Sequence, residues 1–281
     1  MLNLPYARLA WTAGVALAVC LTAAAAQTPA PATAQSGSAA DDQLLGKART
    51  MYYSTANAGL NGFDCSVHPD WHELYVRANP NQAIATDDKR VVLLNRVSIK
   101  LHAHPDGTST LDWTPAPGSP TDADSTNLLN QMHAATEQTL QGFVEFWTPF
   151  VDGSVIPSNT NGMTVTHDTS AFTLHAEQGG TTVTEVFSND LLLEEYDVIM
   201  GSSSIKFTPS FKATPQGLLV ERFLAHIQQQ IDPPGPVQEM HVAIEYQTIE
   251  GFPIPERLNM EVVGTGIFNT TLDGCSVQRK N

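Results

Sequence analysis

The residues whose types and spacing bear on chemistry are two histidine pairs, a few carboxylates and two cysteines. His102-Ala103-His104 is the better-placed histidine pair. On a strand, residues i and i+2 project to the same side, so two imidazoles there can chelate one ion. A third ligand is required. Asp106 and Asp112 are near in sequence, and His167 and His175 are candidates from another hairpin. With Lys100 beside them, the two histidines read more simply as solvated side chains on a polar strand face. His68-Pro-Asp-Trp-His72 has the i, i+4 spacing of a zinc helix. Pro69 follows its first histidine directly and the segment reads as strand or loop, which is the wrong geometry for a shared ion.

Glycoside hydrolysis needs two acids flanking one bond. Glu194 and Glu195 are adjacent and point to opposite faces of a strand, so they are not that pair; pairing either with Asp64 or Asp70 requires a fold that sequence does not specify. The acids therefore read as solvated surface groups. The chain has no phosphate loop, no dinucleotide glycine fingerprint and no Gly-x-Ser-x-Gly. No catalytic residue and no cofactor is assigned.

Cys65 and Cys275 sit in similar strings, Phe63-Asp64-Cys65-Ser66-Val67 and Asp273-Gly274-Cys275-Ser276-Val277. The third cysteine, Cys20, belongs to an export signal. Arg8 supplies a short basic start, Leu9 to Ala25 is largely apolar, and Ala24-Ala25-Ala26 places small residues before Gln27. Residues 1–26 are expected to be cleaved, which leads the chain to an oxidising compartment where the two remaining cysteines pair. Such a bridge would stabilise the chain by up to on the order of 5 kcal/mol in the chain-entropy picture. Leu17-Ala18-Val19-Cys20 is the alternative reading, a lipobox anchoring the chain through Cys20, although Val19 is bulkier than the small residue such boxes place there. The expected location is secreted or periplasmic, with no membrane span left after cleavage.

Residues 27–40 are Pro, Ala, Ser and Thr-rich and uncharged, a composition that cannot bury enough surface to fold. Residues 41–281 are expected to form a single domain. The net charge is −15 without any Lys/Arg run. Such a surface repels phosphate backbones, so no nucleic-acid partner is expected.

Asp41 to Leu60 reads as a helix with an apolar stripe at three-and-four spacing and Gly59 at its end. A second helix spans Ser125 to Trp147, with Leu128, Met132, Ala135, Thr139, Phe143 and Phe146 on one face and Pro149 as its stop. The rest alternates with period two. Val97, Ile99 and Leu101 oppose Ser98, Lys100 and His102; Phe172 and Leu174 oppose Thr173 and His175; Leu192, Tyr196, Val198 and Met200 oppose Glu195 and Asp197. Turn signals fall at Gly179-Gly180, Ser188-Asn189-Asp190, Pro233 to Pro236 and Glu250 to Pro255. The expected class is mainly β (α+β): roughly eight to eleven antiparallel strands in a large curved sheet or half-barrel, one N-terminal helix and one inserted helix.

The aromatic residues are numerous enough to line one sheet face. Trp113, Met132, Phe143, Phe146, Tyr196 and Phe207 are the candidate ligand-binding residues, with an ordinary core as the competing reading.

The C-terminal strings Leu218-Leu219-Val220-Glu221-Arg222, Val242-Ala243-Ile244-Glu245-Tyr246 and Gly251-Phe252-Pro253-Ile254-Pro255, with Gly62-Phe63-Asp64-Cys65-Ser66-Val67 after the first helix, resemble the LolA-like lipoprotein-carrier half-barrels. The likeness is of layout across most of the chain after the signal. It implies acyl chains held on a concave face, hence a lipid or lipoprotein ligand, and it carries no catalytic residues. The expected function is a secreted or periplasmic protein binding a hydrophobic ligand beneath the Ser125–Trp147 helix. The rivals are a structural or adhesion domain of the envelope and, third, a secreted hydrolase.

Overall fold

The structure is a computed structural model that describes residues 39–152, 155–156, 162–229 and 235–280. The expected signal, Cys20, almost all of the Pro/Ala-rich leader and Pro233-Pro234 lie outside the described residues. Among the described residues, no helix is long and apolar enough to cross a membrane.

The elements in chain order are α1 (Ala39–Arg49), α2 (Thr55–Ala58), β1 (Leu60–Pro69), α3 (Trp71–Ala78), α4 (Lys89–Leu94), β2 (Val97–Ala103), β3 (Ser109–Pro115) and α5 (Ala123–Trp147). They are followed by β4 (Thr164–His167), β5 (Ala171–Gln178), β6 (Thr181–Ser188), β7 (Leu193–Met200), β8 (Ser203–Thr214), β9 (Gly217–Gln229), β10 (Gln238–Ile249), β11 (Phe252–Val262) and β12 (Gly266–Arg279). The strand order is β3-β2-β1-β12-β11-β10-β9-β8-β7-β6-β5-β4. The mainly β, antiparallel α+β class read from the sequence is the class observed, with twelve strands among the described residues.

The described residues form two compact units, one of 55–148 and 244–280, the other of 39–54 and 149–243. In the first, Phe63, Cys65 and Val67 of β1 and Ile99, Leu101 and Ala103 of β2 are buried, while Lys100 between them is exposed. That alternation is what a half-buried antiparallel strand requires. The disulfide joins Cys65 to Cys275 across the neighbouring strands β1 and β12. The register slips between Asp64/Ser276 and Ser66/Asp273, so Gly274 and Cys275 form a bulge opposite Cys65. Gly274 takes φ 56°, a left-handed value that glycine adopts without a Cβ penalty.

Helix α5 starts two residues before the expected Ser125. Asp122 caps it, accepting a hydrogen bond from the Ser125 amide at 2.9 Å. Its buried stripe is Leu129, Met132, Thr136, Leu140, Phe143, Val144 and Trp147, with Phe146 beside it. Met132 and Phe143 fall on both the expected and the observed stripe; Leu128 and Thr139 do not, because a helical repeat of 3.6 admits two neighbouring phases through the same anchors.

Two further expectations are corrected. The N-terminal helix does not run to Leu60. It ends at Arg49, and the chain then bonds to β9: the Leu218 amide donates to Met51 O at 2.7 Å and the Tyr53 amide to Leu218 O at 2.9 Å. A tertiary strand-like bridge outcompetes helix over Tyr52-Tyr53-Ser54, residues of modest helix preference. Gly217 makes this approach possible, since a Cβ there would lie 2.8 Å from Tyr52 backbone. The segment after His68 is also not a loop. Pro69 closes β1, Asp70 caps α3 by accepting from the Glu73 amide at 2.8 Å, and His72 lies inside that helix.

In the second unit the β5–β6 and β6–β7 turns fall at the turn signals Gly179-Gly180 and Ser188-Asn189-Asp190. Gly179 and Gly180, at φ 60° and 82°, make a two-residue turn between β5 and β6. Phe150, fully buried, follows α5 in a single 3-10 turn, Thr148–Phe150. Its ring meets those of Tyr196, Phe207, Phe211 and Phe223 at centroid distances of 5.9, 5.7, 6.3 and 5.7 Å. This aromatic cluster is the core over β7, β8 and β9.

Candidate functional site

The second unit contains a cavity of about 370 Å³ on the face shared by β5, β6 and β7. Period two builds its wall. Leu174 and Ala176 project from β5, Thr181, Val183 and Glu185 from β6, and Tyr196 from β7, while Met163 closes the β4 side. The volume is at the small end of the range of about 300–1,000 Å³ usual for small-molecule sites.

Glu185 is the one charged residue type in that wall. Leu174 is its cross-strand partner on β5 and Tyr196 on β7. The residue is only 4% exposed, and its Oε2 has no hydrogen-bond partner among the described residues. Burial without a partner disfavours the carboxylate and pushes the group up to about 8, so at neutral pH the neutral acid predominates. The same burial raises Tyr196, and any charge on Glu185 raises it further.

Tyr52, from the segment after α1, fixes the β6–β7 turn beside the cavity. Its hydroxyl donates to Leu191 O at 2.8 Å and accepts from the Leu193 amide at 2.7 Å. Burial raises its phenol to about 12, and Glu185 adds to the shift. Leu191 is held at φ 65°, an uncommon value for a residue with a Cβ. The strand then bulges: Val186 pairs with Glu195 but Phe187 with Leu193. Leu193, and not the expected Leu192, therefore continues the buried face; Leu192 is 41% exposed.

The candidate ligand residues divide between the units. Tyr196 lines the cavity, and Phe207, its cross-strand partner on β8, packs against Phe150 and Phe223. The other four belong to the first unit. Phe143 stacks on Trp147 at 6.1 Å and is 2% exposed; Met132 and Phe146 are buried on the same helix. Trp113 stacks on His133 at 5.2 Å and meets Trp71 edge-on. Trp147, wholly buried, meets Phe63 edge-on and donates its indole N–H to the Tyr246 hydroxyl at 2.9 Å.

His102 and His104 have separate partners. His102 Nδ1 lies 2.6 Å from Asp64 Oδ1 and its Nε2 lies 3.1 Å from Asp112 Oδ2. Hydrogen bonds donated to these two carboxylates raise the imidazole above its ordinary value and favour the imidazolium, which has no lone pair for a metal. His104 Nδ1 contacts Asn61 O at 3.2 Å. His167 pairs with Asp41 and His175 with Thr184. Among the described residues, no group of three or more His, Cys, Asp or Glu is placed to hold a metal ion. Of the other acids, Asp70 serves as a helix cap and Glu195 pairs with Lys206 at 2.6 Å.

Comparison with family profiles, with curated proteins and with solved structures finds no match to this chain. The site therefore rests on its own geometry. Sequence reasoning missed Glu185 and Phe150. The signal for Glu185 is present: in Val183-Thr184-Glu185-Val186-Phe187 it occupies the inward position of an alternating strand.

Proposed function

We propose that this chain is an exported binding protein and that the cavity of its second unit holds a small apolar or lipid-like ligand. The observation that carries this reading is the cavity itself, walled by Met163, Leu174, Ala176, Val183 and Tyr196 on one sheet face. Apolar walls with very few polar groups are the usual form of a hydrophobe site. The disulfide fits an oxidising compartment, which is where the N-terminal signal would deliver the chain. The LolA-like layout implies the same ligand chemistry, an acyl chain or a lipoprotein's lipid.

A purely structural role in the envelope is the second reading. It is favoured by the first unit, where Phe143, Val144 and Trp147 of α5 are buried as core. Native mass spectrometry of protein purified without detergent separates the two. The binding reading expects additional mass from small apolar species that organic extraction removes. A chain that carries none, and that takes up no added aliphatic alcohol, would favour the structural role.

A further inference from the structure

The wall of the cavity is apolar except for Thr181, the Tyr196 hydroxyl and one acid, and the acid is the feature that apolar packing does not explain. Glu185 occupies an inward position that Val or Leu would fill without desolvating a polar group. Its Oε2 is enclosed and without a partner among the described residues, yet the side chain belongs to the cavity wall. Leu174 faces it from β5, Tyr196 from β7, and the Tyr52 phenol is close enough to feel its charge; none of these is a cation. Among the described residues, the wall offers no Lys, Arg or His to an anionic ligand. A ligand carboxylate or phosphate would find hydrogen-bond donors in the Glu185 acid and the Tyr196 hydroxyl but no cation to balance its charge among the described wall residues.

Resting on the reading that the cavity binds an apolar ligand, we infer that this ligand carries an ammonium group, which Glu185 holds as a charge-assisted partner. The Tyr196 ring, directly opposite Glu185, adds a π face that suits a cation and repels an anion. The proton balance closes within the pair. A neutral amine entering the cavity takes the proton of the Glu185 acid, leaving an ammonium hydrogen-bonded to a carboxylate. Alternatively the ammonium enters and the acid releases its proton to water. In both cases an orphaned polar group becomes a satisfied one, which is where a buried carboxyl gains most.

The experiment compares three probes of one chain length, n-octylamine, n-octanol and octanoate, by titration calorimetry on the purified protein at neutral pH. Octylamine is expected to bind about 10- to 100-fold more tightly than octanol, the range a charge-assisted hydrogen bond supplies. Octanoate is expected to bind most weakly. In E185Q the preference for the amine over the alcohol should vanish. In the parent protein, octylamine should also abolish the infrared carbonyl band of the protonated Glu185 acid, a change that a merely structural carboxyl would not show. Octanol binding as well as octylamine would overturn the ammonium assignment and leave the apolar site standing. Binding of none of the three would overturn both. The comparison in the parent protein decides the matter even if E185Q fails to fold.

Discussion

Glu185 and Tyr196 stand directly opposite one another on adjacent antiparallel strands, and burial pushes both toward their neutral forms. An acid in that position makes stability depend on pH in a direction opposite to the usual salt-bridged carboxylate. Its folded value, about 8, is above the ordinary 4.5. The folded state therefore holds a proton that the unfolded chain gives up earlier. Stability from the neutral acid is present in full below about 4.5 and is lost as pH rises toward and through about 8. E185Q removes this titration. It should match the parent near pH 4 and exceed it by about 1–4 kcal/mol above pH 8, by analogy with other buried charges replaced by neutral groups. Urea unfolding at both pH values measures this. A parent whose advantage over E185Q grows with pH would contradict the environment assigned to Glu185.

The Tyr52 hydroxyl bridges Leu191 O and the Leu193 amide, while the Ser188 hydroxyl accepts more weakly from the Leu192 amide at 3.3 Å. Y52F keeps the ring and leaves Leu191 O and the Leu193 amide without that partner. A loss of about 1–3 kcal/mol is expected, the cost of unsatisfied buried groups. Hydrogen exchange at the Leu193 amide should accelerate more than at β8 or β9 amides. Equal acceleration everywhere would mean the hydroxyl does not hold this turn in particular.

The Cys65–Cys275 bond closes a loop with a sequence separation of 210. Replacing both cysteines with alanine should lower stability by about 2–5 kcal/mol, the usual range for a native disulfide. Thiol labelling of the denatured, non-reduced protein should find neither residue free. Two labelled thiols would contradict the pairing.

His102 sits between Asp64 and Asp112 with its side chain about one-third exposed. Its titration by NMR should fall above 6.5, and D64N should lower it, since the Asp64 hydrogen bond is the largest cause of the shift. The raised value means a contribution to stability present below 6.5 and lost as pH rises through the folded value. Solvent screening keeps it small, under about 1 kcal/mol. An unchanged titration in D64N would show that the 2.6 Å contact does not persist in solution.

Much of this architecture is readable from alternation alone, because a strand with one buried face writes its period directly into the residues. Ile99 and Leu101, Phe172 and Leu174, and Ile205 and Phe207 all point inward as period two requires. What escaped was structure decided by tertiary pairing or by short caps. The break after Arg49 depends on β9, more than 160 residues away. Helices α3 and α4 are short, and their only local marks are the caps Asp70, with Glu73 three residues on, and Asp88. The prolines of Phe252-Pro253-Ile254-Pro255 read as turn, yet the turn is only Glu250-Gly251, at φ 50° and 91°, and β11 carries both prolines. The site was legible in part. Tyr196 and Phe207 follow from the strand pattern, whereas Glu185 was not singled out, because acids are so rarely inward.

The cavity on β5, β6 and β7 is the centre of the functional proposal, and methyl and aromatic NMR of the protein titrated with n-octanol tests it most directly. The account predicts saturable shifts at Leu174, Ala176, Val183 and Tyr196, with Leu140 and Val144 of α5 unmoved. Octanol that shifts none of the four cavity residues, or that acts first on α5, would contradict it.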